Sequence, residues 1–212
     1  KQFTATAILM LQREGRLSVT DAIGMYVDGL PDWADTVTLD ELIHHTSRIP
    51  DYWVELDEID VKFSTPADTA MILAAIGRED ELEPGEGFLY SNSNYVLLAE
   101  VVARVTGAPL ADYLAENIFT PLGLNMVLAP GLAADDIAVP YNDDLATFIG
   151  GWTAPGAIGV ITTPSELARW GDQYRAGDII PEAFVAGAGS VGGGEDYAAA
   201  MEGEVGGGRE RS

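Results

Sequence analysis

The chain has 212 residues, and its 34 acidic against 11 basic side chains give a formal charge of −23. A charge of that sign and size repels nucleic-acid phosphates and anionic membrane surfaces, so nucleic acid is excluded as the expected partner. A hydrophobic share of 47% supports one core, and the absence of cysteine excludes both a disulfide framework and a thiolate metal site. No apolar run approaches the ~18 residues a membrane span needs. The acids are dispersed, the pattern of a strongly solvated surface and not of an interaction tail.

Helix signals come first along the chain. Phe3, Ala7, Met10 and Leu11 recur at helical spacing until Gly15 stops the run, so the chain starts inside a helix. Thr38 with Glu41 three residues on forms a capping box before Leu42 and Ile43, and this short helix is expected to end near Thr46 and Ser47. Thr65 followed by Pro66 reads as a further helix start, with Met71, Ile72 and Ala75 on one face up to Gly77. Loops rich in proline or acid separate these helices. Tyr95, Leu98, Val102 and Val105 form the buried stripe of a helix that Gly107 ends. Another runs from about Pro109 through Leu114 to Phe119, where Pro121 stops it. Residues 129–160 read as loop with at most short strands. Thr163, Pro164 and Glu166 then open a helix through Leu167, Trp170 and Tyr174 that Gly177 closes.

Several motifs carry no chemistry on this reading. Gly187 to Gly192 matches the spacing of a dinucleotide fingerprint, but no clear strand precedes it and Gly193 with Gly194 opposes the helix that should follow, so a nucleotide site is rejected. His44 and His45 are adjacent and point apart on a helix, which leaves them unable to share a metal and reads as structural. The acids at Asp135, Asp136, Asp143 and Asp144 lack calcium-loop spacing and read as solvated turns. One stretch is different. Tyr90, Ser91, Asn92, Ser93, Asn94 and Tyr95 crowd the start of an apolar helix. Taken alone, they could simply be an N-cap, with Ser91 or Asn92 accepting backbone N–H groups.

The surroundings favour another reading. Glu83-Pro84-Gly85 through Phe88, Tyr90, Ser91, Asn92, Tyr95, Leu97 and Leu98 resembles a segment of the serine hydrolases related to class C β-lactamases and D-alanyl-D-alanine carboxypeptidases, the penicillin-binding-protein-like family. Tyr90-x-Asn92 resembles that family's second active-site motif. Thr38 to Ser47 resembles its "TL..LL.HTSG" helix, with Arg48 where glycine is usual and Ile49-Pro50-Asp51-Tyr52 following. Ile118 to Leu124 is similar to its "IF.PLGM" corner, and Gly159 to Thr163 with Glu166 to Trp170 to its "GG..ST..DLARW" segment. The resemblance covers roughly residues 1–177. Lys1, continued by Gln2-Phe3-Thr4-Ala5, is similar to the last residue of the Ser-x-x-Lys motif. The family's third motif, His or Lys, then Thr or Ser, then Gly, is absent, and Glu204 to Arg209 resembles the approach to its strand.

The resemblance implies an α+β fold of the β-lactamase/DD-peptidase type, an antiparallel sheet flanked by helices, of which residues 1–212 form a single incomplete domain keeping mainly the helical part. It implies acyl transfer through a serine ester, with a β-lactam, a D-Ala-D-Ala peptide or a small ester as substrate. The catalytic residues it points to are Lys1, Tyr90 and Asn92, with the nucleophilic serine three positions ahead of Lys1. Lys1 would take the serine proton, Tyr90 would relay it, and Asn92 would orient Lys1 and bind the acyl-side amide. No metal and no organic cofactor is expected, and the complete protein would lie in the periplasm, the envelope or outside the cell. The chain as written is expected to be inactive. The alternative is a non-catalytic binding module or an inactive gene fragment.

Overall fold

The computed structural model describes residues 1–61, 66–129, 137–138 and 153–173, and the backbone of 197–198 and 201–202. Outside these lie Thr65, the acids at 135–136 and 143–144, Tyr174, Gly177, the glycine-rich match at 187–192 and the segment at 204–209.

Helix α1 (Gln2–Arg13) is buried on nearly every side, including Phe3, Ala7, Ile8, Met10 and Leu11, so it runs through the middle of the helical layer. Its two buried threonines are satisfied: Thr6 Oγ1 donates to Gln2 O (2.9 Å) and Thr4 Oγ1 to Gly156 O (3.0 Å). Helix α2 (Leu39–Ile43) has the expected capping box, Glu41 N–H donating to Thr38 Oγ1 and Thr38 N–H to Glu41 Oε2. It ends earlier than the sequence suggests, because His45 already takes a left-handed φ of 55°.

Helix α3 (Tyr52–Glu58) is missed by the sequence reading, which leaves this stretch as loop. Its signals are short: Asp51 caps it, accepting from Trp53 N–H (3.2 Å), and only Tyr52 and Leu56, one turn apart, are buried. Helix α4 (Thr69–Ile76) starts later than expected. Pro66 stays outside it, and Asp68 is the cap, its Oδ1 accepting from Met71 N–H (2.9 Å). The backbone just before is held extended by a tertiary bond from Thr153 N–H to Ala67 O (2.8 Å). Met71 is exposed, while Ile72 and Ala75 face inward.

Helix α5 (Asn92–Thr106) is the hub, packed against α1, α2, α4 and the next helix, α6 (Leu110–Leu114). It ends at Gly107, whose φ of 77° is the left-handed conformation that glycine adopts without a Cβ clash. Helix α6 widens into a π-turn over Ala115–Phe119, closed by Thr120 N–H to Ala115 O (2.9 Å). Helix α7 (Pro164–Gly171) has Thr163 as cap, accepting from Glu166 N–H. The box is half-made, since the Glu166 carboxylate turns to Asn125 N–H and Arg169.

Strands β1 (Val127–Leu128) and β2 (Val160–Ile161) pair antiparallel, Val127 opposite Ile161, as do β3 (Tyr197–Ala198) and β4 (Met201–Glu202). The antiparallel β1–β2 pair, with β1 packed against α6, is the α+β arrangement expected. Trp170 of α7 donates from Nε1 to Gln2 Oε1 (2.9 Å) and its ring meets Phe3 (4.7 Å), anchoring the start of α1.

Candidate functional site

Three elements converge at the first turn of α1. Lys1 precedes that helix, Asn92 is the first residue of α5, and the loop 153–159 crosses both. Lys1 Nζ donates to Asn92 Oδ1 (2.6 Å) and to Ala157 O (3.2 Å). Tyr90 OH donates to the same Asn92 oxygen (3.3 Å), and Lys1 Nζ lies 4.9 Å from the centre of the Tyr90 ring and 5.5 Å from that of Tyr95. The structure therefore brings Lys1, Tyr90 and Asn92 into one cluster, with Tyr90 half-exposed above it. No serine hydroxyl among the described residues bonds the lysine.

The loop approach depends on Gly156. A Cβ there would lie 2.2 Å from Tyr95 O, and the φ of 90° is left-handed, so only glycine lets residues 156–157 pass this close to α5 and offer the Ala157 carbonyl to Lys1. A cavity of about 250 Å³ opens beside Lys1, walled in part by Gly156, Ile158, Thr162 and Leu167.

The polar residues at 91–94 do not act as a simple cap. Ser91 occupies the cap position, but its hydroxyl donates to Pro50 O (3.3 Å), as does Ser93 Oγ (2.7 Å). Ser93 Oγ also accepts from Tyr52 N–H (2.9 Å), and Ser47 Oγ donates to Asn94 Oδ1 (2.7 Å). They fasten the 45–52 loop to the start of α5. The α5 amide at Asn92 is met from outside the helix, by Asp51 Oδ2 (2.8 Å).

His45 lies fully buried behind Tyr90, stacked on its ring at 4.6 Å. Its Nδ1 accepts from Ser91 N–H (3.1 Å), which puts the ring proton on Nε2. Burial, then the charges of Lys1 and His44, pulls its pKa down to about 3. His44 faces away, its Nδ1 3.3 Å from Asp40 Oδ1, and that hydrogen bond raises its pKa. The pair shares no ligand, and among the described residues no group of three or more His, Asp or Glu could hold a metal.

Burial lowers the Lys1 ammonium from its ordinary value to about 8, against the opposing pull of the Asp51 charge. An amine so placed is partly free base near neutral pH and can accept a proton from a hydroxyl brought against it. Sequence reasoning missed the Asp51 carboxylate and the Ala157 carbonyl. Asp51 stood in the quoted Ile49–Tyr52 segment without a role, and its position after Pro50 and before a helix was the available signal.

The family described as Beta-lactamase matches residues 1–210. The chain belongs to the beta-lactamase family. Among curated relatives, "Penicillin-binding protein 4*" of Bacillus subtilis (strain 168) is 35% identical over 127 residues, 59% of this chain and 28% of that protein. The "Putative D-alanyl-D-alanine carboxypeptidase" of Escherichia coli O157:H7 is 30% identical over 175 residues, 73% of this chain and 37% of that protein. This beta-lactamase-family chain thus spans well under half the length of these relatives. The octameric penicillin-binding protein homologue from Pyrococcus abyssi superposes with a TM-score of 0.73 at 26% identity over 93% of this chain and 50% of its own. The fold is likewise that of the D-stereospecific amidohydrolase from Streptomyces sp., at a TM-score of 0.74 and 22% identity over 89% of this chain and 62% of that one.

Proposed function

We propose that this chain carries the lysine, tyrosine and asparagine of a serine hydrolase that transfers acyl groups through a serine ester. The observation that carries the reading is the half-buried Lys1 amine, lowered to about 8 and held by Asn92 Oδ1 at 2.6 Å under the Tyr90 ring. In a protein with a serine three positions ahead of Lys1, that hydroxyl would stand one helical turn away on the same face. Its oxygen attacks the carbonyl carbon while its proton passes to the neutral Lys1 amine, directly or through Tyr90 OH, which takes it on as it gives its own proton to Lys1 Nζ. The same proton then goes to the leaving amine or alkoxide, and water hydrolyses the ester by the reverse route. Asn92 keeps Lys1 in place and offers the substrate amide a partner.

The names of the relatives support amides of D-amino acids as the substrate class, with β-lactams and small esters as further acyl donors. The parent protein by this proposal works in the cell envelope or outside the cell; among the described residues no helix is long and apolar enough to cross a membrane.

The test uses the longer protein with that serine. A chromogenic β-lactam, a D-Ala-D-Ala peptide and a p-nitrophenyl ester are each followed for a serine-linked adduct by mass spectrometry and pre-steady-state kinetics. Lys1→Ala and Tyr90→Phe are each expected to slow acylation by at least ~100-fold. Absence of any adduct overturns the reading in favour of a non-catalytic binding module, and full acylation by Tyr90→Phe overturns the role given to Tyr90.

A further inference from the structure

The Asn92 side-chain amide has two faces that are nearly the same in shape and opposite in hydrogen bonding. With Oδ1 toward the cluster it accepts from Lys1 Nζ at 2.6 Å and from Tyr90 OH at 3.3 Å. Turned over, it would present an NH₂ group to an ammonium and a hydroxyl that both need an acceptor. Neither Lys1 nor Tyr90 alone prevents that rotation during a reaction in which both change protonation.

Asp51 stands on the other side. Its Oδ2 accepts from Asn92 Nδ2 (2.8 Å) and from Asn92 N–H (2.8 Å), while Oδ1 accepts from Trp53 N–H (3.2 Å). The carboxylate therefore grips the Asn92 backbone and side chain at once, at the positive end of the α5 dipole. A carboxylate offers only acceptors, so an overturned amide would set oxygen against oxygen here as well as nitrogen against nitrogen at Lys1. Pro50 O, held by Ser91 and Ser93, and Tyr52 N–H, held by Ser93, fix the chain on both sides of Asp51.

We propose that Asp51 is a positioning residue, whose carboxylate locks the Asn92 amide with its oxygen toward Lys1 and Tyr90. The role rests on the acyl-transfer reading for its use in catalysis, but the lock itself is a property of the cluster. Among the described residues, the titratable groups around the Lys1 side chain are Asp51, Tyr90, Tyr95, His45 and the Lys1 α-amino group, which burial lowers to about 5, and His45 stays uncharged above its lowered pKa of about 3. Among the described residues Asp51 alone adds negative charge beside the amine, and its removal also frees the Asn92 amide, whose oxygen accepts from Lys1 Nζ.

The protein has two lysines, Lys1 and Lys62, so [13C]lysine labelling gives two side-chain resonances, assigned with Lys62→Arg. Asp51→Asn and Asp51→Ser both retain a good helix cap for α3, and either serves if the other fails to fold. In both, the Lys1 titration midpoint should fall below that of the wild type, and the Asn92 side-chain NH₂ resonances should lose the downfield shift of a carboxylate partner. An unchanged midpoint with unchanged amide shifts overturns the lock whether or not the protein turns over a substrate. In the longer protein, Asp51→Asn should slow acylation at least 10-fold, yet add less than 2-fold to the loss in Asn92→Ala. Full multiplication of the two losses would mean that Asp51 does not act through Asn92, and would overturn the proposal even with acyl transfer established.

Discussion

Arg48 holds a φ of 64° in the turn after α2, a conformation that costs a residue with a Cβ about 1 kcal/mol or more. The family segment that Thr38 to Ser47 resembles has glycine at this position, and here the turn is kept with a side chain. The strain is offset by ties to the loop ahead of Tyr90: Arg48 Nε donates to Glu83 O (3.2 Å), Nη2 donates to Pro84 O, and Arg48 O accepts from Glu83 N–H (2.8 Å). Arg48→Ala keeps the strain and loses the guanidinium, so urea denaturation should show it about 1 kcal/mol less stable. Arg48→Gly loses the same bonds but relieves the strain, and should fall within about 0.5 kcal/mol of the wild type. The adjacent histidines give a second test. Relative to an ordinary value of 6.5, His45 is lowered to about 3, so it favours unfolding as pH drops below 6.5, with the full cost reached near 3. His44, raised by Asp40, favours the folded state below 6.5 and loses that contribution as pH rises through its folded pKa. Histidine NMR should show one ring titrating above pH 6.5 and the other unchanged down to about pH 4.

At the scale of elements, the loop 153–159 matters more than its length suggests. Gly156 passes under Tyr95 of α5, Thr4 of α1 bonds Gly156 O, and Ala157 O receives Lys1. Gly156→Ala would drive a methyl into the Tyr95 carbonyl at 2.2 Å and into Ala99 Cβ at 2.8 Å, and neither backbone nor buried helix can yield cheaply. A loss of at least ~2 kcal/mol in thermal or urea unfolding is expected. If the loop moves away, the Lys1 midpoint should rise toward that of an exposed lysine, since burial is what lowers it. Gly107→Ala, which meets nothing within 4 Å, should cost only the left-handed strain. The difference between the two glycines separates close approach from conformational freedom.

For the whole molecule, the charge of −23 sets the response to salt. Around α3 and α4 the repulsion is local: Glu79 is raised to about 7, first by a hydrogen bond from one carboxyl to the other with Glu55, then by burial and by the charges of Glu55, Glu58 and Glu83. An acid with a raised folded pKa disfavours the folded state as pH climbs from about 4.5 to 7. At pH 8, above the raised Glu79 value of about 7, that carboxyl is mostly ionised, and screening over a Debye length of ~8 Å at 0.15 M salt should help most. Adding 0.5 M NaCl should therefore raise the melting temperature more at pH 8 than at pH 5. An equal rise at both would place the repulsion elsewhere.

What the sequence determined by itself was the local part. The capping box of Thr38 and Glu41, the buried stripe of Tyr95, Leu98 and Val102 and the stop at Gly107 each depend on residues within one or two turns, so periodicity and cap chemistry are enough to read them. The resemblance added the family, and with it the expectation that Lys1, Tyr90 and Asn92 belong together. The start of α4 escapes the local pattern because a tertiary bond from Thr153 to Ala67 holds the chain extended past Pro66, and α3 escapes it because its buried stripe is only two residues wide. Only the tertiary structure decided how the cluster is held. Lys1 meets Asn92 across 91 residues and Ala157 across 156, and Asp51 meets Asn92 across 41. Such bonds leave no period in the sequence, because their geometry is set by how α1, α5 and the 45–52 loop pack, and a carboxylate that clamps an amide is spelled the same way as one that faces water.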